Sequence, residues 1–339
     1  MSDLFLYFLA LTTAFALSAA ALPLLRRSLA PWLGDAPAAL KTHAGIVPAV
    51  GGCAAALGFF ISLAFIRFIT DFPTGTLHNL RGIFLGGGIV FTLGLIDDIK
   101  KPAGLSPYIK IAFQTLAAII LIHYGISVQF APAPWGYILT ILWVAGITNA
   151  LNLFDIMDGL AASQVVLAAA AFLIIALPSE FIYVNFAAAA LCGAVLGFWP
   201  YNHSRKFKTF LGDSGSNLLG FLLAACALGA KYSAVNPSAV FVPLIILALP
   251  IFDTLFVSAV RISKGISPLK GTADHFPLRL ERLSLTKTQV LLICMLAALI
   301  YNILAYAATK APAPWPLIIY IVVAADLILF TAFLLWKTK

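Results

Sequence analysis

Long apolar segments separated by short polar breaks run along the whole chain. A membrane-spanning helix needs about 20 mainly apolar residues. The pattern predicts eleven such helices, with ten as the alternative count: 3–25, 49–69, 80–96, 107–125, 135–151, 159–177, 182–199, 215–231, 237–260, 289–308 and 315–335. We therefore predict an all-α fold, a polytopic integral membrane helix bundle that forms a single domain over residues 1–339.

Composition and charge support this prediction and orient the chain. Hydrophobic residues make up 62% of the sequence and charged residues 10%, against roughly half and about a quarter in soluble proteins. Lys and Arg favour cytosolic loops, and 17 of the 21 basic residues fall in alternate breaks. The N-terminus is therefore expected outside and the C-terminus in the cytosol. The net charge of +8 partly reflects this topology and partly suggests anionic substrates.

Eight of the 13 acidic residues share the predicted cytosolic face. They fall at the ends of the apolar segments or in five breaks, which lie at about 26–48, 97–110, 148–160, 200–216 and 261–288. Carboxylates near hydrocarbon are costly and mark functional sites. The sequence thus predicts one polar site at the cytosolic mouth of the bundle.

The third apolar segment ends in two adjacent acids, Asp97 and Asp98. Neighbours on a helix point about 100° apart, so we expect one to face a metal and the other a lysine or a substrate. The alternative is a simple polar helix end, with both acids paired to Lys100 and Lys101.

A second motif repeats polar residues at every third position: Asn149, Asn152, Asp155 and Asp158. Consecutive members share a helix face, but the outermost two diverge unless the backbone tightens or breaks. Such a row offers oxygen ligands to a hard cation such as Mg²⁺.

A third motif places Asp213 between Gly212 and Gly215, just before a predicted helix. Free N–H groups at a helix start, with Ser214 and Ser216 as caps, suit a phosphate. Asp213 would then hold the metal that bridges this phosphate.

The longest predicted cytosolic break contains the fourth motif. A helix beginning at Pro277 would place Arg279 and Arg282 beside His275. These side chains are suited to binding a pyrophosphate.

Together the motifs resemble those of the polyprenyl-phosphate N-acetylhexosamine-1-phosphate transferase family. The matching stretches are Lys41-x-His43 with Pro48-x-x-Gly51-Gly52, Asp97-Asp98 with Leu105-Ser106-Pro107 and Lys110, Asn149 to Gly159, Phe210 to Ser216, and His275 to Leu280. The chain departs from the family pattern in having Ile156 where Asp-Gly-x-Asp-Gly has its first Gly, and one histidine where the last loop usually has several. The missing histidines favour the GlcNAc-1-phosphate branch over the peptidoglycan enzyme.

The resemblance implies transfer of a sugar 1-phosphate, GlcNAc-1-phosphate on this pattern, from a UDP-sugar to undecaprenyl phosphate. The enzyme would need Mg²⁺, with Mn²⁺ as the alternative ion, and would release UMP. Its lipid-linked product would prime a cell-envelope polysaccharide such as lipopolysaccharide. Two alternatives within the family are the phospho-N-acetylmuramoyl-pentapeptide transferase and a different UDP-N-acetylhexosamine specificity. An alternative from another class is an ion-coupled transporter, for which Asp253 and Asp326 lie within predicted spans.

The resemblance also implies partners and a location. The partners are the UDP-sugar, undecaprenyl phosphate and the bilayer, without nucleic acid, and the oligomeric state stays open between monomer and homodimer. The protein would lie in the inner membrane with its active site on the cytosolic face. An apolar groove beside the third and fourth spans would take the polyprenyl chain.

Residue roles follow from the same resemblance. The expected catalytic residues are Asp97, Asp98 and His275. Asp97 or Asp98 would orient or deprotonate the lipid phosphate for direct attack, with a covalent aspartyl phosphate as the alternative. The expected metal ligands are Asp213, Asn152 and Asp155. Phe210 would stack on uracil, with plain core packing as the alternative. The full set of expected substrate-binding residues is Asn149, Asp158, Phe210, Lys110, Lys41, Arg279 and Arg282.

Overall fold

The computed structural model describes residues 3–35, 45–178 and 182–338, and nearly all regular structure in these ranges is helical. The chain forms two compact units, Met1–Ala230 and Lys231–Lys339.

The first unit contains a short antiparallel ladder and a set of long helices. The ladder pairs β1 (Gly34–Asp35) with β2 (Val47–Pro48). The helices are α1 (Asp3–Leu29), α2 (Gly51–Ile69), α3 (Thr74–Ile99), α4 (Pro107–His123), α5 (Trp135–Phe154), α6 (Leu160–Ala176), α7 (Ile182–His203) and α8 (Gly212–Gly229).

The second unit begins with a 3₁₀ turn, Pro237–Phe241, and continues with further helices. They are α9 (Val242–Ile246), α10 (Ala248–Ser263), α11 (Phe276–Arg282), α12 (Lys287–Lys310) and α13 (Trp315–Lys337).

Ten of the eleven predicted spans each correspond to one helix, and the remaining one is corrected by the structure. The segment predicted as a single span at 237–260 bends by 69° between Pro237–Ile246 and Ala248–Ser263. Pro250 explains the break, because its ring has no N–H to donate and clashes with the carbonyl four residues earlier, at Ile246.

In the described part of the chain, seven helices are long and apolar enough to cross a membrane, or eight if the bent pair is one span. The helices α4 and α6 have 17 residues each, one fewer than the 18 residues taken here as the minimum length of a candidate span. The protein is thus a multi-pass helical membrane protein, while the number and orientation of its spans stay predictions.

Helix α8 lies at the centre of the first unit, where it packs against α2, α3, α5, α6 and α7. Every residue from Ser214 to Ala227 is buried. Its first turn lies directly on α2: a Cβ added at Gly52 would lie 2.2 Å from the backbone nitrogen of Gly215. Gly52 also donates its N–H to the carbonyl of Leu211 at 2.8 Å. The start of α8 is therefore fixed against the start of α2.

Candidate active site

The acidic pair at the end of α3 lies against the first turn of α8. This contact depends on Gly94, where an added Cβ would lie 2.5 Å from the carbonyl oxygen of Asp213. Asp97 and Asp98, one turn later, are both buried. The structure therefore brings together two motifs that are more than 100 residues apart in sequence.

Asp98 binds the N-terminus of α8. Its two carboxylate oxygens accept the backbone N–H groups of Asp213 and Ser214, each at 2.9 Å. A negative charge at this position is stabilised by the helix dipole.

The sequence predicted that the N-terminus of α8 binds a phosphate and that Ser214 and Ser216 cap the helix. The contacts in the structure contradict this prediction. Asp98 already occupies two of the N–H donors. Ser216 donates its hydroxyl to the Gly212 carbonyl at 3.0 Å, and the buried Ser214 hydroxyl has no hydrogen-bond partner among the described residues. The Asp98 carboxylate of α3 therefore binds the N–H groups that the motif, taken alone, suggested as a phosphate site.

Two lysines hold the carboxylates together. The Lys110 ammonium contacts Asp97 and lies 3.8 Å from an oxygen of Asp213. The Lys101 ammonium bridges Asp98 at 2.8 Å and Asp213 at 3.0 Å. Burial by itself would lower the pKa of Lys101, but the two carboxylates raise it well above its usual value. Lys101 therefore stays charged.

Sequence reasoning considered Lys101 only as a partner of a polar helix end. Its spacing of three residues from Asp98 was the available signal, since residues at that spacing meet on one helix face. The bridge to Asp213 could not be read from the sequence, because it joins two separate motifs.

Asn152 connects the polar row of α5 to the same cluster. Its amide donates to Asp213 at 2.7 Å and to the Ser216 hydroxyl at 2.8 Å. Helix α5 ends at Phe154, so the helix breaks within the row, which is one of the two alternatives that the repeat left open.

Asp155 follows at the end of α5. Desolvation, and next the charge of Asp213, raise the pKa of the Asp155 carboxyl to about 7. No donor in the described ranges hydrogen-bonds to this carboxylate. Among the described residues, Asp155 is thus the carboxylate of the cluster that no lysine contacts directly, and the charge of Lys101 only partly offsets its raised pKa.

Asn149, predicted to bind substrate, lies one turn deeper in α5. Its amide donates to Gln114 of α4 at 2.6 Å and to the carbonyl of Ala145 at 2.9 Å. In the structure its amide therefore contacts α4 and the backbone of its own helix.

Asp158 and Phe210, both predicted to contact the nucleotide, share one lysine. The Lys208 ammonium pairs with the Asp158 carboxylate and lies 5.6 Å from the centre of the half-buried Phe210 ring. Sequence reasoning did not assign a role to Lys208, although it is two residues from Phe210.

The cluster suits a hard divalent cation in charge and in donor type. Four carboxylates face two ammonium groups, a formal excess of two negative charges: Asp97, Asp98, Asp155 and Asp213 against Lys101 and Lys110. Carboxylate and amide oxygens are the ligands that Mg²⁺ prefers. Among the described residues, no three His, Cys, Asp or Glu side chains stand in a ready-made metal geometry. The predicted ligands Asp213, Asn152 and Asp155 carry donors of this type, and their binding of an ion stays a prediction.

His275 lies in the second unit and is held by Asp253. Its Nδ1 lies 2.6 Å from one oxygen of the buried Asp253 carboxylate, and the N–H of Phe276 donates to the other at 3.0 Å. Helix α11 begins at Phe276, within one residue of the predicted start at Pro277. Asp326, the other acid within a predicted span, accepts a hydrogen bond from Tyr301 at 2.5 Å.

The two predicted phosphate-binding arginines differ in their contacts. Arg279 is buried and donates to the Asp274 carbonyl at 3.3 Å and to the Thr338 hydroxyl at 2.7 Å. Arg282 is exposed and donates to the Ala273 carbonyl at 2.8 Å. Both arginines therefore hydrogen-bond to the backbone just before α11. The contacts of Arg279 give no support to a phosphate-binding role.

Lys41 lies outside the described residues, so its predicted role stays a prediction. The polyprenyl groove expected beside α3 and α4 also stays a prediction. The second unit contains an apolar cavity of about 870 Å³ between its helices, with Phe252, Leu255, Val323 and Leu327 in its lining.

Comparison with known proteins supplies the family. The chain is 30% identical over 287 residues to the Bacillus subtilis (strain 168) protein named "Probable undecaprenyl-phosphate N-acetylglucosaminyl 1-phosphate transferase". The match covers 82% of this chain and 77% of that protein. The chain belongs to the polyprenyl-phosphate N-acetylhexosamine-1-phosphate transferase family. It is therefore an enzyme, a phosphotransferase, which decides against the transporter alternative.

Further matches agree with this family. Residues 80–231 match the family model described as "Glycosyl transferase family 4". The Escherichia coli (strain K12) "Undecaprenyl-phosphate alpha-N-acetylglucosaminyl 1-phosphate transferase" is 27% identical over 279 residues, 78% of this chain and 74% of that protein. The "Phospho-N-acetylmuramoyl-pentapeptide-transferase" of Halalkalibacterium halodurans is 35% identical over 202 residues, 54% of this chain and 61% of that protein.

The matched range 80–231 contains the acidic cluster from Asp97 to Asp213 and ends at the boundary between the two units. His275, Arg279 and Arg282 lie beyond it. The acidic cluster of the first unit is thus the part of the candidate site that the family model covers.

Proposed function

We propose that this transferase moves GlcNAc-1-phosphate from UDP-GlcNAc to undecaprenyl phosphate, releasing UMP and forming undecaprenyl-diphosphate GlcNAc. The observation that carries the proposal is the joining of Asp97, Asp98 and Asp213 by two lysines where α3, α4 and α8 meet. Such a group of charges suits phosphoryl transfer, which depends on positioning and charge neutralisation more than on covalent chemistry.

The choice of sugar rests on relatives. The matches that cover 82% and 78% of this chain are with proteins named for N-acetylglucosaminyl 1-phosphate transfer. The match to the muramoyl-pentapeptide enzyme covers 54%. The single His275 in the last loop favours the same branch.

For the acceptor, Asp97 is the better placed of the two adjacent acids. Asp98 accepts two backbone N–H groups and Lys101, so it serves as the anchor of α8. Asp97 contacts the Leu105 N–H and the side chain of Lys110. We assign to Asp97 the orientation of the lipid phosphate, and to Lys110 the neutralisation of its charge.

In the reaction, an oxygen of the lipid phosphate bonds to the β-phosphorus of the UDP-sugar. The bond from that phosphorus to the bridging oxygen breaks, and UMP leaves with the electron pair. A phosphate monoester with a second pKa of about 6 is mostly dianionic near pH 7, so direct attack needs no covalent enzyme intermediate.

For the donor, we assign Phe210 and Asp158 to the nucleotide, with Lys208 between them. Asp213, Asn152 and Asp155 would hold Mg²⁺, or Mn²⁺ in its place. The ion would supply charge neutralisation for the pyrophosphate. We assign Lys101, whose ammonium lies between Asp98 and Asp213, to the departing phosphate, because such an ion would neutralise Asp213.

The proposed location is the inner membrane, with the cluster on the cytosolic face and the N-terminus outside. This orientation rests on the distribution of Lys and Arg along the chain.

The test is release of UMP by purified protein supplied with Mg²⁺, undecaprenyl phosphate and one UDP-sugar at a time. UDP-GlcNAc should give the highest kcat/KM among UDP-GlcNAc, UDP-GalNAc and UDP-MurNAc-pentapeptide. Asp213→Asn should insert normally and release no UMP. Activity with UDP-MurNAc-pentapeptide alone would move the enzyme to the other branch, and full activity of Asp213→Asn would remove the proposed ligand.

A further inference from the structure

Three amide side chains, two of them buried and that of Asn149 half-buried, form a hydrogen-bonded chain beneath the acidic cluster. Asn149 of α5 donates to the Gln114 oxygen of α4 at 2.6 Å. Gln114 donates to the Asn217 oxygen of α8 at 3.1 Å, and Asn217 donates to the backbone carbonyl of Asp213 at 2.8 Å. We call these three residues the amide relay.

The backbone fixes the direction of the relay. A carbonyl oxygen can only accept, so Asn217 must point its NH₂ at Asp213 and its oxygen at Gln114. Gln114 must then donate to Asn217 and accept from Asn149. No amide can turn over without opposing two donors or two acceptors, and the relay therefore has one satisfied arrangement.

Each relay residue lies one helical turn from a member of the charged cluster on the same helix. Side chains three or four residues apart share a face, and the pairs are Gln114 with Lys110 on α4, Asn149 with Asn152 on α5, and Asn217 with Asp213 on α8. The cluster residues contact one another, since Lys110 and Asn152 both lie near Asp213. The relay therefore joins the same three helices, α4, α5 and α8, one helical turn further along each helix.

The relay gives helix α4 a buried hydrogen bond to α8. Helix α4 packs mainly on α3 and α5, and its buried residues are Gln114, Ala117, Ala118 and Leu121. Gln114 is the member of this stripe that can hydrogen-bond, and it reaches α8 through Asn217. The two alanines are too short to fix a helix separation by themselves.

We propose that the amide relay is a positioning element that sets the places of Lys110 and Asn152 around Asp213. Gln114 is its central residue, and Asn149 acts through it instead of touching substrate. This inference rests on the proposed function, because the cluster that the relay positions is the proposed site for the ion and the pyrophosphate.

The test compares Gln114→Met, which keeps the length of the side chain and removes both of its hydrogen bonds, with Leu121→Ala as a matched control. Leu121 is fully buried on the same face of α4, two turns deeper. Its truncation weakens packing and leaves the relay intact. Residues that orient metal ligands typically change ion affinity or activity by about 10- to 100-fold when replaced.

Gln114→Met should lower kcat by about tenfold or more, with a smaller change in KM for the UDP-sugar. It should also raise, by a similar factor, the concentration at which Mn²⁺ binds, measured by electron paramagnetic resonance without substrates. Leu121→Ala should lower Tm and leave kcat and Mn²⁺ binding near wild type. If Gln114→Met does not insert, Asn149→Leu, which removes one donor, should show the same losses.

Wild-type kcat and Mn²⁺ binding in either relay variant would overturn the positioning role. Equal losses of kcat in Leu121→Ala would also overturn it, because ordinary packing would then explain the effect. Wild-type protein that binds Mn²⁺ but releases no UMP would refute the proposed reaction alone, and the binding comparison would still decide the relay. Wild-type protein that does neither would overturn both.

Discussion

A single methyl group at Gly94 should separate the acidic pair from α8. In Gly94→Ala the new Cβ would lie 2.5 Å from the Asp213 carbonyl oxygen and 2.6 Å from the Ser214 Cα. Ordinary van der Waals contact begins at 3.4 Å, so the helices must part by nearly 1 Å. Both opposing atoms belong to the backbone, which cannot turn aside as a flexible side chain can.

The expected magnitude follows from this displacement. Overpacking of this kind costs about 1–3 kcal/mol of stability. A misplacement of about 1 Å at a reacting site can lower the rate on the order of 100-fold, which corresponds to roughly 2.7 kcal/mol in the barrier. Both effects should therefore be measurable, and kcat for UMP release should fall on the order of 100-fold.

Gly88→Ala is the matched control, since it lies on the same helix and an added Cβ there meets nothing within 4 Å. Both variants should be purified in the same detergent and compared for Tm and for UMP release with UDP-GlcNAc and undecaprenyl phosphate. We expect near-wild-type kcat for Gly88→Ala. If Gly94→Ala matches Gly88→Ala in kcat, the close contact between α3 and α8 does not set the geometry of the site.

Three further outcomes are expected. Asp98→Asn should lower Tm and abolish most UMP release, because it leaves a buried N–H of Asp213 or Ser214 unpaired at a cost of about 1–3 kcal/mol; an unchanged Tm would contradict the anchoring role. Phe210→Ala should raise KM for the UDP-sugar about tenfold, since base stacking on an aromatic ring contributes roughly 1–3 kcal/mol, whereas Phe207→Ala, in the exposed part of the same segment, should not; equal KM values would assign Phe210 to packing. Chelation by EDTA should stop UMP release, and added Mg²⁺ or Mn²⁺ should restore it, while activity that persists in EDTA would exclude the proposed ion.

Much of the fold could be predicted because lipid imposes a simple rule on sequence. A helix that crosses hydrocarbon satisfies its own backbone hydrogen bonds, so each apolar run of sufficient length corresponds to a helix. The bend at Leu247 was missed since hydropathy alone takes no account of the backbone effect of Pro250. The helix at Phe276 was found because a proline after a loop is a local signal for a helix start.

The candidate site was likewise predictable only in part: its residues could be identified from the sequence, but their contacts could not. The sequence singled out Asp97, Asp98, Asn152 and Asp213, because charged and amide side chains at the ends of apolar runs are costly unless they serve a purpose. It could not assign their partners. In the structure Asp98 binds the start of α8, where the motif taken alone suggested a phosphate, and Lys101 bridges Asp98 to Asp213.

By itself, then, the sequence determined which segments are helical, which polar residues lie at their ends and which family the motifs resemble. Only the tertiary structure decided which of these residues touch, that Gln114 and Lys101 belong with them, and that Gly94 and Gly52 let the helices approach closely enough. The reason is physical: hydropathy and helix signals act between residues near in sequence, whereas hydrogen bonds and ion pairs between helices depend on packing distances that no local pattern records.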